Sequence, residues 1–66
     1  MFYIWNRKNG KLMKAPDWTS LGVLDDNWTN YVRSAWGYET MKYAKKMSAH
    51  LRRLGMDVSI VELFNI

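Results

Sequence analysis

The sequence predicts a small α+β domain, in which an antiparallel sheet (an N-terminal hairpin plus a C-terminal strand) packs against one long amphipathic helix. Three observations carry this expectation. Asn9-Gly10 separates two short stretches rich in strand-forming residues. Residues 38–54 repeat apolar side chains at helical spacing. Val58, Ile60, Val61, Leu63 and Phe64 then form a β-rich run. The 66 residues make one domain, 1–66.

Asn-Gly favours a two-residue type I′ turn, because both central residues of that turn need φ > 0. Such a turn pairs Lys8 with Lys11, Arg7 with Leu12, Asn6 with Met13, Trp5 with Lys14 and Ile4 with Ala15. Strand alternation then puts Phe2, Ile4, Met13 and Ala15 on one face, with Asn6 toward the tip. Tyr3, Trp5, Arg7, Leu12 and Lys14 fall on the other. The first face is the better core. The second mixes aromatics with cations and is the better candidate for exposure.

Pro16 has no N–H for a ladder and ends the second strand. Residues 17–27 read as a loop with turn chemistry at Ser20, Gly22 and Asp25-Asp26-Asn27. Its Trp18, Leu21, Val23 and Leu24 are costly to leave in water, so the loop is expected to pack down. Residues 28–36 fit two elements. Trp28, Tyr31, Val32 and Ala35 follow i, i+3, i+4, i+7 behind an Asn27 cap, which favours a short extra helix. The β-rich composition of 30–36 fits a strand.

Over residues 38–54, Met41, Ala44, Met47, Leu51 and Leu54 occupy an arc of about 140°. Lys42, Lys45, Lys46, Arg52 and Arg53 occupy the opposite side within roughly 120°. Gly55 is placed to end the helix as C′. Gly37 marks a break, because the apolar stripe before it lies on the wrong side to continue.

Composition excludes several functions. There is no Cys, hence no disulfide and no thiolate metal site, and His50 is the one imidazole. The inventory for a nucleophile, base and orienter is thin, so no enzyme, cofactor or metal is expected. Asp25-Asp26 reads as turn chemistry. No apolar stretch approaches the roughly 20 residues of a membrane span, and the opening residues lack signal-peptide character. A cytoplasmic protein is the expectation.

The net charge of +4 favours acidic partners. Between residues 42 and 53 there are five cations and no acid, so the helix lacks the Glu-to-Lys pairs common on solvated helices. Ala49 lies within this stripe and leaves room for an anionic group. Lys42, Lys45, Lys46, Arg52 and Arg53 are therefore candidate partner-binding residues. Tyr3, Trp5, Arg7 and Lys14 form a second candidate set, suited to stacking and phosphate contact or to a protein interface. The competing account of the stripe is a solvated face whose long stems cover apolar surface.

The chain loosely resembles a set of very short phage-encoded proteins, in Tyr3-Ile4, Gly10-Lys11-Leu12, Trp18-Thr19 or Trp28-Thr29, Tyr43-Ala44-Lys45-Lys46 and Val58-Ser59-Ile60-Val61-Glu62. Residues 28–37 depart from that pattern by length. The resemblance implies a hairpin–helix–strand fold, a viral origin, and a role in binding and blocking a host enzyme or defence complex. The expected function is thus a small binding protein that occupies a surface on a larger host protein. A small basic nucleic-acid-binding protein and a structural homodimer subunit are the alternatives.

Overall fold

The computed structural model describes residues 1–19 and 23–64. Strands β1 (Phe2–Asn6), β2 (Lys11–Met13) and β3 (Trp28–Thr29) precede helix α1 (Met41–Arg53), and β4 (Val58–Glu62) follows it. They form a four-stranded antiparallel sheet in the order β3-β2-β1-β4, with α1 packed on one face. The class is the α+β arrangement expected, with one more strand and a helix of 13 residues.

The hairpin register differs from expectation. Trp5 faces Leu12 and Asn6 faces Lys11, two residues off the Asn-Gly register. Only Gly10 of the turn has positive φ, at 71°. Asn9 stays at negative φ, so a type I′ turn does not form. The loop instead takes four residues, 7–10, closed by the Gly10 N–H donating to Asn6 O at 2.8 Å. Side chains of Asn6 and Asn9 accept from the Lys8 and Lys11 amides, each at 2.9 Å. A slip of two residues leaves every side chain on its face.

Ile4, Met13, Trp28 and Val58 therefore meet Ala44, Met47 and Leu51 in one core. Phe2, Tyr38, Met56 and Ile60 close its margins. Ala15 lies beyond β2 and is exposed.

Residues 28–36 do not form the expected helix. Trp28 pairs with Met13 in β3 and is 5% exposed, whereas Tyr31, three residues on, is 67% exposed. One 3₁₀ turn, Val32–Ser34, is the helical part of this stretch. Burying the Trp28 ring under the sheet outweighs a stripe whose other members are small or polar-tipped. The 17–27 loop also differs from expectation, since Trp18 and Leu24 stay about half exposed. Ser20, Leu21 and Gly22 lie outside the described residues. Asp25–Asn27 makes a 3₁₀ turn, as its turn chemistry anticipates.

The helix starts three residues later than its periodicity implies because Tyr38 is committed elsewhere. Its N–H donates to Phe2 O at 2.7 Å, and its carbonyl accepts the Phe2 N–H at 2.8 Å. Gly37 lies against the Tyr3 ring, where a Cβ would stand 3.2 Å from Tyr3 Cε1 and 2.6 Å from Met1 Sδ. At the other end Gly55, at φ 91°, makes a full Schellman stop. The Met56 N–H donates to Leu51 O at 3.1 Å and the Gly55 N–H to Arg52 O at 3.0 Å.

Leu51→Ala should cost about 2–5 kcal/mol in urea unfolding, because the side chain is wholly buried at the centre of the core. Gly55→Ala should cost about 1–2 kcal/mol in the same assay, since a Cβ is disfavoured in the left-handed region. The Tyr38 hydroxyl is buried without a partner among the described residues, and burial raises its pKa above the ordinary 10.0. The neutral phenol is thus favoured by folding. Its contribution is present below pH 10.0 and is lost as pH rises through the raised folded value. Urea midpoints followed into alkaline pH should fall less steeply for Tyr38→Phe than for the native chain.

Candidate functional site on the cationic helix face

The inward stripe of α1 is Ala44, Met47, Ser48 and Leu51, spaced i, i+3, i+4, i+7. Helical geometry turns Lys42, Lys45, Lys46, Arg52 and Arg53 outward, and all five are exposed. None of them forms an ion pair among the described residues. α1 carries no acid.

The acids lie elsewhere. Asp57 stands 3.9 Å from Arg7 Nε, and Lys8, Asp25 and Asp57 line one cleft by the hairpin tip. Lys14, Asp17 and Asp26 line another. Acids of the middle segment and of the turn after α1 thus sit beside the hairpin cations. The helix cations are left without counter-charges.

Trp18 completes the face. Asp17 Oδ1 accepts the Thr19 N–H at 2.9 Å and the Thr19 hydroxyl at 2.6 Å, which folds the loop tightly around Trp18. The Trp18 ring lies 5.2 Å from the His50 ring, tilted by 50°, and remains 53% exposed. Trp18, Lys45, Lys46, Ala49 and Arg53 line an open groove of about 380 Å³. On the helix itself Lys46 Nζ lies 5.7 Å from the centroid of the Tyr43 ring, which is 56% exposed.

Arg52 differs from its neighbours. Its Nη2 donates to Val58 O at 3.1 Å, over the edge of β4. Lys45, Lys46 and Arg53 share the groove, whereas Lys42 lines none of the clefts described here.

The second expected set is not brought together. Tyr3 is 3% exposed, with Gly37 against its ring and Met1 beside Gly37. Arg7 lies in the hairpin loop rather than in a strand, and Lys14 lies past the end of β2. Only Trp5 stays on the open outer sheet face, half-buried beside Leu12, Thr29, Val61 and Leu63 around a shallow groove of about 310 Å³. The turn's four-residue length and the chain crossing Tyr3 dismantle the alternating aromatic–cation ridge.

Sequence reasoning missed Trp18 and Tyr43 as parts of the face. Tyr43 was legible as the i, i+3 partner of Lys46. For Trp18 the available signal was the Asp-x-Thr turn around it, which lifts the ring instead of tucking it under.

No acid enters the groove, and among the described residues no three His, Cys, Asp or Glu side chains gather as a metal set. Among the described residues no helix is long and apolar enough to cross a membrane. What the face offers is an array of cations on one helix with two exposed aromatic rings. No protein family model, curated protein or solved structure matches the chain.

The Asp17 carboxyl is held below its ordinary 3.8, first by the Thr19 hydroxyl and then by the Thr19 amide, with His50 adding to the effect and desolvation opposing it. The folded loop is therefore favoured above pH 3.8, and that preference is lost as pH falls through the depressed value. Asp17→Ala should release the loop at neutral pH. Nuclear Overhauser contacts between Trp18 and His50 should weaken in that variant, and in the native chain on acidification. Contacts that persist in Asp17→Ala would show that the carboxylate does not hold the ring.

Proposed function

We propose that this protein is a small non-enzymatic binding module that docks the outward face of α1 on an acidic surface of a larger protein. One observation carries the reading: five exposed cations on a helix without a single acid, while Asp17, Asp25, Asp26 and Asp57 lie beside the hairpin cations. Like charges held together without counter-charges cost a few tenths of a kcal/mol per i,i+4 pair. An acidic partner relieves that cost. Exposed Trp18 beside Arg53, and exposed Tyr43 beside Lys46, add residue types that dominate protein hot spots. Under the resemblance to short phage proteins, the partner is a host enzyme or defence complex and the effect is inhibition by occupancy.

A second reading is favoured by the Trp18 groove. An exposed indole beside Lys45, Lys46 and Arg53 also suits single-stranded nucleic acid, with a base stacked on the ring and phosphates on the cations.

Lys45, Lys46 and Arg53 changed together to Glu should abolish partner capture from host lysate while leaving the helical circular dichroism intact. Capture that survives the triple change would make the stripe a solvated face. Nuclease treatment and salt separate the two readings. Direct phosphate binding weakens with a log–log salt slope of roughly −0.7 to −0.9 per contact and disappears after nuclease. Docking on protein survives nuclease.

A further inference from the structure

β4 presents an unfinished ladder. The pairs flanking it are hydrogen-bonded, with the Leu63 N–H donating to Met1 O at 2.9 Å and the Arg7 N–H to Asp57 O at 3.0 Å. The register between them sets Tyr3 opposite Val61 and Trp5 opposite Ser59. Odd-numbered residues of β4 thus bond to β1, and Val58, Ile60 and Glu62 aim their N–H and C=O groups outward. β4 ends the sheet, so no strand meets them. Among the described residues one of these groups has a partner, Val58 O, which accepts from Arg52 Nη2. Val58-Ser59-Ile60-Val61 carries no charge, Pro or Gly, and its register with β1 runs without a bulge. Two features blunt the edge: Arg52 over Val58, which is 1% exposed, and the charge of Glu62 at the far end; between them Ser59, Ile60 and Val61 carry no such device.

We propose that β4 pairs antiparallel with β4 of a second copy of this chain, about a two-fold axis at Ile60. This centre uses all the outward groups. Ile60 faces Ile60 of the second copy, and Val58 faces Glu62 of the second copy, twice over. The incoming Glu62 amide takes Val58 O, which releases Arg52. Glu62 shares the helix-side face with Val58 and Ile60, since residues two apart point the same way. Its carboxylate therefore arrives beside the released guanidinium. Symmetry repeats the exchange, so two Arg52–Glu62 pairs cross the interface.

The spacing is compatible with the helices. α1 rests on β1 and β4. The two copies of α1 then lie about two strand spacings apart, ~10 Å by the usual sheet dimension. That is the upper end of the interaxial distance of packed helices, about 8–10 Å. On the opposite face the two grooves that Trp5, Val61 and Leu63 help to line become neighbours. A 66-residue domain, which buries a smaller share of its surface than a large one, gains the buried area it lacks.

The test is sedimentation equilibrium of the full chain over a wide concentration range, with circular dichroism to check each variant's fold. The native chain should approach twice its monomer mass. Arg52→Glu and Glu62→Arg should each weaken the dimer by roughly tenfold or more, because each sets like charges face to face. An equimolar mixture of the two variants should recover it, since the mixed dimer holds one native Arg52–Glu62 pair and one pair of reversed sign. Glu62→Pro removes an outward N–H without touching the β1 ladder and should leave a folded monomer. A monomeric mass at every concentration overturns the proposal. So does stronger self-association of Arg52→Glu, which would make Arg52 a guard of the edge, and so does a dimer indifferent to Glu62→Pro or a mixture that stays monomeric.

Discussion

The placement of every surface group on α1 depends on how Met47 and Leu51 seat against Ile4 and Val58. All four are essentially inaccessible to water. Small side chains at Ala44 and Ser48 flank them and let the helix approach the sheet. Rotating α1 by one residue would swing it by about 100° and carry part of the cationic arc toward the core. Each buried cation would then cost several kcal/mol. Apolar attraction and the penalty on charge burial therefore select the same rotation. The Schellman stop at Gly55 fixes where that rotation ends and where β4 begins.

Most of the fold was legible because its signals are local or periodic. The middle of the helix stripe (Ala44, Met47 and Leu51), Gly55 as its stop and the final strand each follow from spacing alone, whereas Met41 and Leu54 at the stripe's ends stay exposed. The hairpin shows how a wrong detail can leave the architecture unharmed. Asn9 does not adopt positive φ, so the turn takes two more residues, yet an even slip keeps Ile4 and Met13 facing the core. What could not be read depends on contacts between distant segments. Tyr38 leaves the helix because its backbone bonds to Phe2, and Tyr3 is covered because Gly37 crosses it. Trp28 supported a helical period in sequence but contributes a strand, because its ring fills the core beside Met13. No window around residue 28 contains that information.

The candidate site was half legible for the same reason. A stripe on one helix is a local pattern, and its five cations are exposed as the spacing requires. The Tyr3, Trp5, Arg7 and Lys14 set relied on register and on an uncovered sheet face, and it fails on both. Folding also redistributes charge in a way that the linear blocks obscure. The acid-rich middle segment returns to the hairpin, where Asp25 meets the cleft of Lys8 and Asp26 that of Lys14. The net positive charge is thereby concentrated on α1, where it projects as one field.

Arg52 stands where the two proposed surfaces meet. The groove beside Trp18 uses Lys45, Lys46 and Arg53, whereas the Arg52 guanidinium leans over the β4 edge. One surface can therefore be occupied without dismantling the other. In a continuous sheet paired through β4, the two-fold axis runs perpendicular to the sheet and leaves both helices on one side. Both cationic faces then point the same way. Two modest contacts on an extended acidic surface become one bivalent contact, with the second site held at high effective concentration. Self-pairing would thus strengthen docking by geometry alone, adding no residue to either face.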